Sequence, residues 1–230
     1  MTTTTTTATI PTTSMTTSAE SLARLLQLAS PTLPVGAYSY SGGLEAAVEE
    51  GIVRDAQSAE CWIGEVLAHS VACMEAPVLW RMMSDDADVE RWNEFFLASR
   101  ETAELRAETV QMGYSLARLL KDLGVGTIEL EEPAFPAAFA FAVCSWKIDR
   151  RAALQAYLWA WLENQAMAVV KSVPLGQTEA QRMLLSLGSK LDGIAAQASA
   201  LEDEELANFA PGLAILSARH ETQYSRLFRS

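Results

Sequence analysis

Residues 150–171 read RRAALQAYLWAWLENQAMAVVK, and between Ala152 and Val170 the only charged side chain is Glu163. A helix that is apolar nearly all round has no face to give to water, so it belongs in the middle of the molecule. Asp149 stands where an N-cap carboxylate would start it, and Lys171 places a cation at its negative end. Pro174 and Gly176 break the chain beyond it. Asn164 and Gln165 interrupt the apolar run. Buried amides must find partners, so these two either join helices or line a wet channel.

Working outward from this central helix, every segment with a clear period has the helical one. Ser18 can cap a helix over 19–28 with Leu22, Leu25 and Leu26 on one face, and Pro31 and Pro34 stop it. Residues 30–43, SPTLPVGAYSYSGG, form a loop, followed by a short helix over 44–50 that ends at Gly51. Asp55 caps a helix to about Met83, in which Pro77 predicts a kink or a break. Helices follow over 89–97, 101–123 and 135–146, and beyond the central helix over 178–198 and 213–224, with a turn of helix near Glu204. The stretch GVGTIELEEP (124–133) is a second loop. No segment alternates with period two, so no strands are expected. Short connections favour antiparallel neighbours. The expected fold is an all-α, single-domain bundle of about nine to ten helices around a buried central one.

Composition narrows the function. The 230 residues are half apolar, enough for a sizeable core, and carry a formal charge of −12. That charge argues against nucleic acid or an anionic membrane as the main partner. Three scattered cysteines do not make a disulfide framework, and a reducing cytoplasm is the expected location. Residues 1–17 are a Thr-rich, low-complexity tract expected to be a disordered tail, and it has neither the charge nor the apolar run of a secretion signal. The longest uncharged apolar run, 134–146, is too short to span a bilayer.

Catalytic chemistry finds few carriers. His69 and Cys73 are four residues apart on one predicted helix face and could offer two metal ligands. Trp62, Val66 and Trp80 share that stripe, which reads better as core. His220 is the only other histidine, and no nucleophile elbow accompanies it; an exposed or helix-end histidine whose neighbours contact a partner is the expected role. No phosphate-binding loop is present. The carboxylate pairs Glu49-Glu50, Asp85-Asp86 and Glu131-Glu132 point apart on a helix and read as solvated surface. Arg100, Glu101, Glu104 and Arg106 crowd a helix start, as a capping and ion-pair cluster would. No catalytic residue, metal site or cofactor is expected, and the chain reads as a non-enzyme.

Four stretches carry a resemblance. LLQLASPTLPVGAYSYSGGLEAAVEEG (25–51), LASRETAELRAETVQMG (97–113), YLWAWLENQAMAVVKSVPLGQTEAQRML (157–184) and FAPGLAILSARHETQYSRLFRS (209–230) together resemble the UreF family of urease accessory proteins. One departure is Gly42, where that family usually has a larger polar residue. The resemblance implies an all-α protein over 18–230, usually a homodimer. It implies a complex with UreD (also called UreH) and the GTPase UreG that docks on apo-urease and promotes nickel insertion, with the chain acting as scaffold and modulator of the GTPase. Residues 217–230, with Arg219, His220, Tyr224, Arg226, Phe228 and Arg229, have the aromatic and arginine content of an interface and are expected to meet UreD. Tyr38, Ser39, Ser41 and Glu45, with Arg100, Glu101, Lys171 and Gln177, match polar positions of the family motifs and are expected to face UreG or the homodimer axis. The alternative reading is an all-helical adaptor for an unrelated partner.

Overall fold

The structure is a computed structural model that describes residues 18–230; the Thr-rich tail expected over 1–17 lies outside the described residues. Helices α1 (Ala19–Leu28), α2 (Leu44–Glu49), α3 (Ala56–Val66), α4 (Ala76–Met82), α5 (Val89–Ala98) and α6 (Ala103–Asp122) are followed by α7 (Phe135–Ser145), α8 (Arg150–Ser172), α9 (Gln177–Gly188), α10 (Leu191–Ala200) and α11 (Pro211–His220). No strand occurs among the described residues, so the chain is all-α as expected. Side-chain caps start the helices where the sequence places them. Ser18, Asp55, Asp88 and Asp149 each accept an N–H from the first turn, and Thr102 does the same for α6.

α8 occupies the centre and packs against α1, α2, α3, α4, α9 and α10. Leu154, Leu158, Leu162 and Val169 are completely buried. It is not enclosed on every side, because Trp159 and Met167 remain exposed on one stripe. α7 is the more deeply buried helix: Ala137, Ala138, Phe139, Ala140, Ala142 and Val143 are all inside. It lies along α6, and Gly113 sets the spacing where the chain enters α7. A Cβ built at Gly113 would stand 1.9 Å from the carbonyl oxygen of Pro133, so no larger residue fits without moving the backbone.

Three boundaries differ from expectation. Pro77 does not break its rod. Between α3 and α4 the chain winds as a π-helix over Leu67–Glu75, and Pro77 falls in the first turn of α4. Pro77 has no N–H for the carbonyl of Cys73; the Ala207 N–H fills that place at 3.2 Å, and the Phe209 N–H reaches the His69 carbonyl at 3.1 Å. The helix expected over 178–198 is two helices, divided at Gly188. The Trp159 ring comes within 3.2 Å of where a Cβ would sit there, and the turn lets α10 lie on α4 and α8. The last helix starts at Pro211 and stops at His220, short of Tyr224, because side chains of α2 and α6 take hold of the chain beyond it.

Candidate functional site

Residues 221–230 run as an irregular tail of turns and bends across the starts of α2 and α6, and Glu45 in the first turn of α2 anchors it. One Glu45 oxygen accepts the Leu227 N–H at 2.6 Å, and the other accepts the Phe228 N–H at 2.8 Å. The second oxygen also lies 3.0 Å from Nε2 of His220. On the opposite side of the imidazole, Nδ1 is 2.6 Å from Glu104 of α6, whose other oxygen accepts from Arg226. Both ring nitrogens of His220 face carboxylate oxygens, so the ring is held between α2 and α6. The His220 ring and the Arg226 guanidinium thereby sit against two carboxylates, with the histidine fully buried. No ring nitrogen is left to bind a metal.

The tail continues into the interior. The Arg229 N–H donates to the Ser39 carbonyl at 2.8 Å, and the Ser41 N–H donates to the Ser230 carbonyl at 2.9 Å. The Ser41 hydroxyl donates to the same carbonyl, and Ser230 Oγ donates to Glu108 at 2.6 Å. Phe228 is buried, and Lys171 of α8 stands over its ring at 5.4 Å while donating to the Tyr38 carbonyl at 3.2 Å. Asn164 donates to the Tyr40 carbonyl, so the first of the two central-helix amides does join elements.

A cavity of about 320 Å³ lies between α6, α8 and the loop after α1. One wall is polar. Arg100 pairs with Glu75 at 3.5 Å, lies on the Phe96 ring at 4.3 Å, and leaves its Nε without a partner. The Tyr157 hydroxyl donates to Glu75. Burial, reinforced by the Glu75 charge, pushes the Tyr157 phenol well above its ordinary range. Burial likewise pushes Glu108 up to about 7, against the opposing Ser230 hydrogen bond. The groups form an ion-pair and hydrogen-bond network that ties the π-helical segment to α8 and to Arg100 before α6.

A family model described as UreF matches residues 53–188, more than half of the chain. The chain belongs to the UreF family. It is 57% identical to the urease accessory protein UreF of Azoarcus sp. (strain BH72) over 223 residues, covering 91% of this chain and 95% of that one. It is 53% identical to the UreF of Dechloromonas aromatica (strain RCB), with 91% and 97% covered. A bifunctional urease accessory protein UreEF of Bordetella bronchiseptica is 49% identical over 225 residues, which make up 52% of that longer protein.

In this UreF-family chain the residues singled out in the sequence divide into buried clamps and exposed surface. Glu45, Ser41, His220 and Phe228 are clamps: all are buried or nearly so, and none is free to meet a partner by its side chain. Arg100 is also inside, only 9% exposed along its side chain, at the cavity wall. Ser39 gives its carbonyl to the tail. Tyr38, Glu101, Lys171, Gln177, Arg219, Tyr224, Arg226 and Arg229 are exposed. Gln177 lies at the start of α9, and Arg219 pairs with Glu50, just past the end of α2, at 2.9 Å. The crowd at the start of α6 separates: Glu104 takes His220, Arg106 takes Glu132, and Arg100 takes Glu75.

His69 is not core. Its side chain is 57% exposed and lies 3.3 Å from Glu65, while the Cys73 thiol points back to the Ala68 carbonyl. Glu108, Glu75 and Tyr157 escaped the sequence reading. Each sits on a helix face that mixes polar and apolar residues, and only the three-dimensional packing brings them to one cavity. Among the described residues no helix is long and apolar enough to cross a membrane.

Proposed function

We propose that this chain acts in the cytoplasm, as a homodimer, in the assembly of urease. It binds UreD and the GTPase UreG, docks with them on apo-urease, and promotes nickel insertion as a scaffold that modulates the GTPase. Nickel is cargo in this scheme and not a resident cofactor. Family membership supports the assembly role, and the single structural observation that supports a docking role is the seated tail. Its backbone is fixed by Glu45, Ser39 and Ser41, while Tyr224, Leu227 and Arg229 are held outward. Fixing exposed aromatic, aliphatic and arginine side chains on a rigid backbone lowers the ordering cost of binding, and these are residue types that concentrate interface energy. Tyr38 and Lys171 continue the same surface.

The test is urease activity and bound nickel in a host expressing the urease subunits and the other accessory proteins, with and without this chain. Both are expected to collapse without it; normal maturation would leave the reading with no support. A chain ending after Gln223 tests the tail. It keeps the buried Ser217 and His220 in place, and it is expected to lose UreD binding while retaining its helical signal.

A further inference from the structure

The central helix carries two amides, and the protein uses only one. Asn164 donates to the Tyr40 carbonyl at 3.2 Å. Gln165, only 5% exposed, makes no side-chain hydrogen bond among the described residues. It lines the cavity between α6 and α8. Its Nε2 lies 3.4 Å from where a Cβ would stand on Gly42, so a side chain there would cover the amide and the glycine leaves it open. An unpaired buried amide costs free energy, and its place on a cavity wall points to something that pairs with it.

The charges lining the cavity do not balance. Glu75, Glu108 and Glu163 face only two cations, Arg100 and Lys171. Arg100 is taken by Glu75 at 3.5 Å, and Lys171 is turned to the Tyr38 carbonyl at 3.2 Å. Among the described residues no cation lies within ion-pair reach of Glu108 or Glu163. One Glu108 oxygen takes the Ser230 hydroxyl, and the other has no hydrogen-bond partner. Three rings share the same space: Phe135 and Tyr157 stack at 5.6 Å, and Trp161 joins them from α8. Ring faces attract cations, most strongly where water is excluded. An unmatched carboxylate, an open amide oxygen and ring faces together suit a positive group rich in donors. The aliphatic remainder of the wall, Leu105 and Met112 among it, suits an apolar body. Water satisfies the amide but gains nothing from the rings. A metal ion fits less well, because among the described residues no three His, Cys, Asp or Glu side chains are grouped to hold one.

We propose that this cavity binds a small organic cation, an amidinium or ammonium group on an apolar body. Glu108 and the Gln165 amide oxygen take its donors, and the three rings flank its charge. The inference concerns the cavity alone and is independent of which partner the tail meets.

The experiment titrates benzamidinium into the full chain, beside neutral benzamide and anionic benzoate of the same shape, and follows heat and the indole N–H resonances. Benzamidinium is expected to bind at least about tenfold more tightly than either isostere. It is expected to move the Trp161 resonance and to leave that of Trp159, which packs on Gly188 away from the cavity. Glu108→Gln keeps an acceptor for the Ser230 hydroxyl and loses the charge, and is expected to weaken benzamidinium about tenfold while leaving benzamide unchanged. Gln165→Leu leaves every charge in place and is expected to weaken it several-fold; it tests the site independently if Glu108→Gln does not fold. Glu90→Gln, at an exposed position of α5, is expected to change nothing. Tighter binding of benzoate, equal binding of all three probes, or binding of none overturns the proposal. So does an unchanged benzamidinium affinity in a folded Glu108→Gln or Gln165→Leu chain.

Discussion

Glu45 lies 3.0 Å from Nε2 of His220 and accepts the N–H groups of Leu227 and Phe228 with its two oxygens. One side chain in the first turn of α2 thus binds the end of α11 and the tail together. Removing it leaves Nε2 of the buried His220 and two tail donors unmatched. Glu45→Ala is expected to cost about 3 kcal/mol, the usual penalty for stranding one member of a buried pair. Glu45→Gln, which keeps an acceptor oxygen, is expected to recover part of it. Urea unfolding followed by circular dichroism measures both, and an unchanged midpoint in Glu45→Ala would show that the contact holds nothing.

Gly113 makes a sharper steric prediction. Its missing side chain is the space taken by the backbone of Pro133 and Ala134, with the Pro133 carbonyl oxygen 1.9 Å from a Cβ and the Ala134 carbonyl carbon 2.7 Å from it. The neighbours are backbone and cannot rotate away. Gly113→Ala gains helix propensity but must push α6 from the entry to α7, and the overpacking is expected to win, at about 3 kcal/mol net. A thermal melt decides between them: a raised Tm would mean that α6 and α7 slide apart freely.

These two positions show what the sequence could and could not reveal. The helices were legible because caps and apolar periodicity are local, and Ser18, Asp55 and Asp149 do cap where they stand. The end of α11 was not, because the groups that pull residues 221–230 off the helical path come from Glu45 and Glu104, more than a hundred positions away in the chain. The same distance explains the site. Glu45 and His220 are polar residues at positions that look like surface, and Arg100 is one too. Only their pairing across elements pays for burying them, and that pairing has no local signature. Tyr224 and Arg229, expected at an interface, are exposed.

Lys171 separates docking from capping. It is exposed, donates to the Tyr38 carbonyl at 3.2 Å, and stands 5.8 Å from the Tyr38 ring and 5.4 Å from that of Phe228. Contacts of this kind at a wet surface contribute little to folding. Lys171→Ala is expected to change stability by less than about 1 kcal/mol. If this face meets a partner, the same variant lowers urease maturation in the reconstituted host by several-fold with the helical signal intact. Loss of helical signal would instead make Lys171 a structural cap of α8.

Leu227 and Phe228 are adjacent and should behave in opposite ways. The Leu227 side chain is 63% exposed, whereas Phe228 is 6% exposed, with Lys171 above its ring. Both have their N–H groups on Glu45, so the backbone is the same and only the direction of the side chain differs. Leu227→Glu puts a charge into water and is expected to leave stability within about 0.5 kcal/mol. A charge at the centre of a docking surface must be desolvated on binding, so the same change is expected to abolish UreD capture in a pull-down. Phe228→Ala removes buried ring area and is expected to weaken the seat by about 2 kcal/mol, exposing the Leu227 and Phe228 amides to exchange. The two measurements to pair are therefore exchange at those amides and partner capture. Leu227→Glu should move only capture, and Phe228→Ala should move both. Capture that survives Leu227→Glu with the tail still seated would place the UreD contact elsewhere on the molecule.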